Sequence, residues 1–141
     1  MRELAARRFI ASALVAGAVG VPALAGVSAS GAFAQALTPM RGEVSSFTGE
    51  FALRVVARNP SQHPMGIEMR AYDHRFRPIP ARFTRDRFML GGKAVRRVTA
   101  LIPFNGERVR YVRVCAEAVP LRSATQSIRT RVCGKFRAQR R

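Results

Sequence analysis

An all-β sandwich is the fold class that this 141-residue sequence predicts, on three observations. Residues 50–58 alternate apolar and polar side chains, which is typical of a half-buried strand. Further short apolar segments follow, separated by turns rich in proline and glycine. No window after residue 36 sustains the period of a helix. These features predict a single immunoglobulin-like β-sandwich of about seven strands over residues 37–141.

The first half of this domain is predicted to begin at a sheet edge. Residues 37–44 form an irregular strand that Pro39 confines to an edge, because proline cannot donate to a ladder. Residues 45–49 are a turn, and the loop at 59–64 is interrupted by prolines. Residues 65–71 form the next strand, since every second side chain is apolar.

The middle of the chain has a weaker strand pattern. A proline-rich crossing at 73–80 leads to a short strand at 81–84. Residues 85–90 then carry the chain to a Gly-Gly turn. The strand at 93–102 loses its alternation at Arg96–Arg97, which predicts a bulge or an end twist there.

The last two predicted strands occupy residues 108–118 and 127–137. An Asn-Gly turn precedes them, and residues 119–126 form the loop between them. A basic tail at 138–141 is expected to fray.

The chain has two cysteines, Cys115 and Cys133, one in each of these strands. Residues 1–36 have the pattern of a secretory signal peptide, and in an exported protein an even pair predicts one disulfide, with a redox pair or metal ligands as alternatives. Neither alternative has support, because there is no Cys-x-x-Cys motif and no histidine near either cysteine. Both cysteines lie on the strand face opposite the apolar side chains, so we expect them to point away from the core.

The cysteine pair also predicts the register of the hairpin. Antiparallel strands that place the two cysteines opposite each other centre the hairpin on Ala124, inside the predicted loop. The same register places Arg113 opposite Lys135 and Glu117 opposite Arg131.

Residues 1–36 have the three regions of a secretory signal peptide. Arginines precede an apolar run over residues 9–25, and small residues follow it. Cleavage is expected after Ala34 or Ala36. The alternative is a retained membrane anchor, although glycines and a proline weaken the run below the ~20 strongly apolar residues of a span.

The charge of the chain limits the partners. It has 25 lysine and arginine residues against 8 acidic ones, a net charge of +17. Export makes nucleic acid an unexpected partner, and leaves anionic lipid, lipopolysaccharide phosphates and acidic proteins. The alternative is a generally solvated, arginine-biased surface. The basic residues expected on solvent faces, as one basic sheet surface, are Arg54, Arg58, Arg70, Arg113, Arg129, Arg131, Lys135 and Arg137.

No constellation in the sequence indicates an enzyme. The histidines, His63 and His74, lie in proline-rich loops, and Asp73 is expected to point away from its neighbour His74. There is no serine elbow, no paired carboxylates, no phosphate-binding glycine loop and no metal-ligand spacing. We therefore expect no catalytic residues, no cofactor and no metal.

Three segments resemble the periplasmic pilus chaperones of the chaperone–usher pathway. Residues 56–64 and the alternating strand after them resemble the second and third strands, where a V-x-V-x-N-x-(S)-x-x-P pattern recurs. Residues 88–98 resemble the F-x-L-x-x-G-x-x-x-x-V-R-V segment, and residues 108–120 the R-E-x-x-Y-x-L-x-V-x-x-I-P segment. The resemblance covers roughly residues 37–137 and is confined to the first, immunoglobulin-like domain of that family; the chaperones have a second domain.

The resemblance implies a binding function. In that family the last strand lends alternating apolar residues to an incomplete pilus subunit, and two basic residues anchor the carboxylate at the subunit's C-terminus. Arg41 matches the first anchor by position. An ungapped match places Cys133 where the family has the second, a lysine, so Arg131 or Lys135 replaces it only with a shift. A subset of these chaperones has a disulfide that joins the last two strands.

Two function classes follow from these observations. The first is a periplasmic, chaperone-like module that binds a protein partner, such as a pilus or surface subunit, by β-strand addition. The second is a cationic envelope module, not integral to the membrane, that binds anionic lipid or lipopolysaccharide. Core packing is the alternative role for the apolar residues of the last strand. The partner-binding residues expected under the first class are Arg41, Ile128, Thr130, Arg131, Val132, Lys135 and Phe136.

Overall fold

The computed structural model describes residues 36–119 and 130–141. Within them the chain forms nine β-strands in two sheets and no helix, which confirms the predicted sandwich. The strands are β1 (Ala36–Thr38), β2 (Arg41–Ser46), β3 (Glu50–Arg58), β4 (Met65–Asp73), β5 (Arg82–Phe83), β6 (Arg87–Leu90), β7 (Val95–Pro103), β8 (Val109–Val119) and β9 (Arg131–Arg140). None of the described residues belongs to a helix long and apolar enough to cross a membrane.

The first predicted strand is in fact two strands in different sheets. The four-stranded sheet has the order β1-β3-β7-β5, and the five-stranded sheet has the order β2-β9-β8-β4-β6. The chain changes sheet at Pro39, where a residue without an N–H cannot extend the ladder. β2 then runs parallel to β9, whereas the other strand pairs are antiparallel. Residues 37–44 therefore supply an edge strand to each sheet.

Of the two alternatives predicted at Arg96–Arg97, a bulge or an end twist, the bulge is wrong. The β3–β7 register runs without interruption from Arg58 opposite Val95 to Glu50 opposite Pro103. Arg96 occupies an inward-facing position of β7. This position is favourable for its charge because the guanidinium lies 5.2 Å from the centre of the Phe88 ring, within the range of a cation–π contact. The break in the hydrophobic pattern reflects this contact and the exposed Val95, not a backbone slip.

The frayed tail predicted at 138–141 is also wrong. β9 continues to Arg140, and Ala138 is fully buried. The Arg140 N–H donates to the Arg108 carbonyl, and the Arg141 N–H donates to the Ser46 carbonyl. Because β8 and β2 flank this segment, both sides of its backbone are paired.

The core fills the space between the sheets. The Phe51 and Phe104 rings pack with their centres 4.8 Å apart, and burying each such side chain stabilises the fold by roughly 1.5–3 kcal/mol. The fully buried Asn59 fixes the adjoining loops, with its amide nitrogen 2.8 Å from the His63 carbonyl oxygen. Gly134 allows the Pro39 backbone to approach β9 closely, since a Cβ at this position would lie 2.8 Å from the Pro39 carbonyl oxygen.

The predicted signal peptide lies outside the described residues except for Ala36. Ala36 is the first residue of β1 and is opposite Arg58. Cleavage after Ala34 would preserve this pair, whereas cleavage after Ala36 would remove it.

Candidate functional site

A disulfide joins β8 to β9 at the centre of the five-stranded sheet. Cys115 is bonded to Cys133, with Cα atoms 4.0 Å apart. The register is the one that the sequence predicts, since Arg113 is opposite Lys135 and Glu117 is opposite Arg131. Cys115 lies on the outer face but is fully buried, so the outer face is covered by its own side chains at this point.

β9 has two partner strands along only part of its length. β8 pairs with it from Arg131 onward, whereas β2 pairs with it only from Lys135. The Lys135 N–H donates to the Met40 carbonyl on the β2 side. Because backbone groups alternate in direction along a strand, those of Arg131 and Cys133 face the same side. No described strand pairs with them there, and we name residues 131–134 the open edge.

Three basic residues lie side by side where the open edge ends. Arg41 on β2, Lys135 on β9 and Arg113 on β8 are consecutive partners in the sheet and share its outer face. None of the three forms an ion pair with a carboxylate in the described part of the chain. Like charges directly opposite each other in a sheet are destabilising. We name these three residues the cationic row.

The cationic row borders a groove of about 820 Å³. Tyr111 is 56% exposed beside it, and the buried ring of Phe136 contributes to its lining. Glu43 brings a carboxylate to the groove but lies 3.6 Å from Arg137. The groove is therefore a partly apolar depression with an excess of positive charge.

Arg113 is held in place at this groove without a carboxylate partner. Its guanidinium carbon lies 4.3 Å from the centre of the Phe76 ring. One terminal nitrogen is 3.5 Å from the His74 carbonyl oxygen, at the limit of a hydrogen bond. Its Nε is buried and has no hydrogen-bond partner among the described residues. The side chain is ordered by packing while its charge remains uncompensated.

A second row on the same face is fully paired. It consists of Arg131, Glu117, Glu68 and Arg87, which are consecutive partners across four strands. Arg131 lies 2.9 Å from Glu117, and Arg87 lies 3.1 Å from Glu68. Arg70 also lies 2.7 Å from Glu68. We name the four residues the paired row.

Hydrogen bonds shift the pKa values around the paired row. Burial raises the pKa of Tyr72, and so does the hydrogen bond that its hydroxyl donates to Glu117 at 2.5 Å. Burial alone would raise the pKa of Glu68, but hydrogen bonds from Arg87 and Arg70 lower it. The guanidinium of Arg131 lies 4.8 Å from the centre of the Tyr72 ring. The carboxylates here are thus satisfied within the protein.

Comparison with known structures identifies the fold. The chain is similar to a chain in the Salmonella enterica SafA pilin–SafB chaperone complex, with 17% identity, coverage of 77% of this chain and 55% of that one, and a TM-score of 0.62. The E. coli chaperone DraB gives the same values. The fold is PapD-like.

A shorter solved domain shows the same fold. The PapD-like domain 7 of human CEP192 has 11% identity, coverage of 96% of this chain and 98% of that one, and a TM-score of 0.57. The present chain spans about 55% of the length of the SafB-complex and DraB chains that it matches. No family model and no curated protein sequence matches it.

The PapD-like domain brings together some of the expected partner-binding residues. Arg41 and Lys135 are neighbours on the outer face. Arg131 lies instead in the paired row. Val132 is half-buried against the core, and Phe136 is 4% exposed within it.

The remaining expected residues lie near the start of β9. Thr130 precedes the strand, and its carbonyl accepts a hydrogen bond from the Ala118 N–H. Ile128 lies outside the described residues. The sequence alone did not indicate that Tyr111 and His74 border the same groove, because loops and strands distant in sequence bring them there.

The expectation of one basic sheet surface is wrong for two of its members. Arg54 and Arg58 lie on β3 in the four-stranded sheet, whereas the cationic row lies on the five-stranded sheet. Alternation assigns a residue to a face of its strand but does not assign the strand to a sheet. Arg129 lies outside the described residues. Within the described residues, no group of three potential ligands is placed to hold a metal ion.

Proposed function

We propose that this PapD-like domain is an exported, periplasmic module that binds an extended segment of a protein partner. The partner strand adds to the open edge of β9, and Arg41 and Lys135 hold the carboxylate at the partner's C-terminus. The observation that supports this most directly is the position of two cations, side by side where the open edge ends, that no described carboxylate pairs with.

The open edge supplies the main-chain part of the interaction. The backbone groups of Arg131 and Cys133 are oriented away from β8, as strand addition requires. Phe136 serves the core, so we assign its side chain no contact with the partner. Thr130 and Val132, with Ile128 before them, remain the proposed side-chain contacts.

The cations supply the specificity for a chain terminus. Charge-assisted hydrogen bonds to a carboxylate are roughly twice as strong as neutral ones. Lys135, not Arg131, is the proposed second anchor, because Arg131 is already paired with Glu117. The expected signal peptide and the likeness to the periplasmic chaperone SfaE support the proposed location.

An alternating Val-Thr peptide, with a free C-terminal carboxylate or with an amide, tests the proposal. We expect the free acid to bind at least about tenfold more tightly, and Arg41→Gln with Lys135→Gln to remove that preference. Arg54→Gln with Arg58→Gln, on the other sheet, is the matched control and should leave it unchanged. Equal binding of acid and amide by the unmodified protein would contradict the carboxylate anchor.

Strand addition is tested at Arg131. Arg131→Pro removes an N–H on the open edge without touching the β8 ladder, a position at which a sheet tolerates proline. Arg131→Ala removes the same ion pair but keeps the N–H. We expect the proline variant to bind the peptide at least about tenfold more weakly than the alanine variant, with both folded by circular dichroism. Equal affinities would exclude the open edge as the binding strand.

Anionic lipid remains the second candidate because of one observation. Arg54, Arg58 and Arg97 lie on the outer strand positions of the four-stranded sheet, and no described carboxylate pairs with them. Salt-dependent binding to phosphatidylglycerol vesicles, without any peptide binding, would favour this candidate.

A further inference from the structure

We infer that the groove selects a partner whose last residue is acidic, with Arg113 binding the side-chain carboxylate. This rests on the proposed function, in which Arg41 and Lys135 hold the terminal carboxylate. The inference concerns the third member of the cationic row, to which that function assigns no role.

The charge of the groove exceeds what one carboxylate neutralises. Arg41, Lys135 and Arg113 each lack an ion pair among the described residues, and the nearby Arg137 already has Glu43. A terminal carboxylate between Arg41 and Lys135 brings one negative charge. Arg113 would remain unpaired on the far side of Lys135. A second carboxylate on the ligand therefore complements the groove better than one.

The environment of Arg113 favours a carboxylate over a diffuse counter-ion. The guanidinium packs over the Phe76 ring, and one terminal nitrogen reaches the His74 carbonyl oxygen only at 3.5 Å. The buried Nε has no hydrogen-bond partner in the part of the chain that the structure describes. A guanidinium that is oriented in advance and has no carboxylate partner among the described residues is suited to bind a carboxylate. The edge of the groove at Arg113 thus has the features of a built anion contact.

The spacing of the row indicates where the second carboxylate lies. Neighbouring strands are about 4.8 Å apart, so the backbones of Lys135 and Arg113 lie about one strand spacing apart, and the Arg113 guanidinium lies over the Phe76 ring. The second carboxylate must therefore reach from β9 toward β8, which favours the longer side chain of Glu. The inferred ligand is therefore a peptide that ends in Glu, and Asp is the shorter variant.

Two peptides that differ only in the last residue test the inference. The probes are the Val-Thr peptide with C-terminal Glu or Gln, each as the free acid, measured by fluorescence polarisation. We expect the Glu peptide to bind about 10- to 100-fold more tightly to the unmodified protein. Arg113→Gln should abolish this preference, whereas the preference for acid over amide should persist. Arg113→Lys should retain part of it, since the charge remains without the planar fork.

The outcomes separate this inference from the proposed function. Arg70→Gln, an outer-face arginine of the same sheet that already pairs with Glu68, is the matched control and should keep the full Glu preference. Equal binding of Glu and Gln peptides, with acid still preferred over amide, would overturn the inference and leave the proposed function intact. Loss of the acid preference as well would overturn both. A Glu preference that survives in folded Arg113→Gln would exclude Arg113 as its source.

Discussion

The cationic row and the paired row lie on the same face of one sheet but differ in charge pairing among the described residues. Arg131 and Lys135 are about 13 Å apart along β9 at the usual rise per residue, and the disulfide lies between the two rows. In the paired row each carboxylate has at least one arginine within about 3 Å. In the cationic row no described carboxylate pairs with any member.

The difference in charge pairing between the two rows indicates a binding site, whereas the arginine content does not. Arginine is abundant along the whole chain, so its presence alone identifies no site. The same strands that place acids beside Arg131 place none beside Lys135. The unpaired row also coincides with the end of the open edge and with a groove. We therefore assign stability to the first row and binding to the second.

Removing the disulfide should have the largest effect, because both rows depend on the β8–β9 pairing that it links. Cys115→Ala with Cys133→Ala should lower the free energy of unfolding by about 2–5 kcal/mol, since the bridge joins residues 18 apart in sequence. Urea denaturation measures this change. Reductant should lower the free energy of unfolding of the unmodified protein to a similar extent. A urea midpoint that changes neither in the variant nor in the reduced protein would contradict the prediction.

Breaking the paired row should cost stability without affecting peptide binding. Glu117→Gln removes the charged partner of Arg131 and the strong acceptor for the Tyr72 hydroxyl, which we expect to cost about 1–2 kcal/mol. Glu43→Gln is the matched control, because Glu43 is 75% exposed and its pair with Arg137 is longer; it should cost less than ~0.5 kcal/mol. A loss of peptide affinity in Glu117→Gln at full folding would show that the rows are not independent.

Pairing the cationic row should have the opposite and smallest effect. Lys135→Glu places a carboxylate between Arg41 and Arg113, so the free protein should gain up to about 1 kcal/mol of stability while acid-terminated peptides lose affinity. Thermal unfolding and fluorescence polarisation on the same sample measure the two changes. Lys135→Gln serves as the neutral comparison, and its stability and peptide affinity should lie between those of the unmodified protein and those of Lys135→Glu. A destabilised Lys135→Glu variant would mean that the row is not electrostatically strained.

Local patterns of the sequence predicted much of this fold. The period of two placed β3 at its observed bounds, and the facial positions of the cysteines predicted the register that their disulfide confirms. Asn105 and Gly106 form the predicted turn, and both have positive φ angles. These features are local or involve adjacent strands, so side-chain alternation and turn chemistry are enough to predict them.

The same reasoning failed where a side chain found a partner from a distant segment. Arg96 occupies an inward position of a regular strand, where a charged side chain is not expected, and its guanidinium packs over the Phe88 ring. Residues 138–140 became strand because β2 covers them from the other side. In both cases the stabilising contact comes from another element, and no local window contains it.

The sequence by itself determined most of the strands and their faces, the disulfide and the excess of positive charge. Only the tertiary structure decided that the chain changes sheet at Pro39 and places β2 parallel to β9. That crossing brings Arg41 beside Lys135 and separates Arg54 and Arg58 from both. Among the described strands it leaves residues 131–134 with one partner, β8. Alternation specifies which face a residue occupies but not which strand lies beside it, because parallel pairing between distant segments depends on how the whole chain packs.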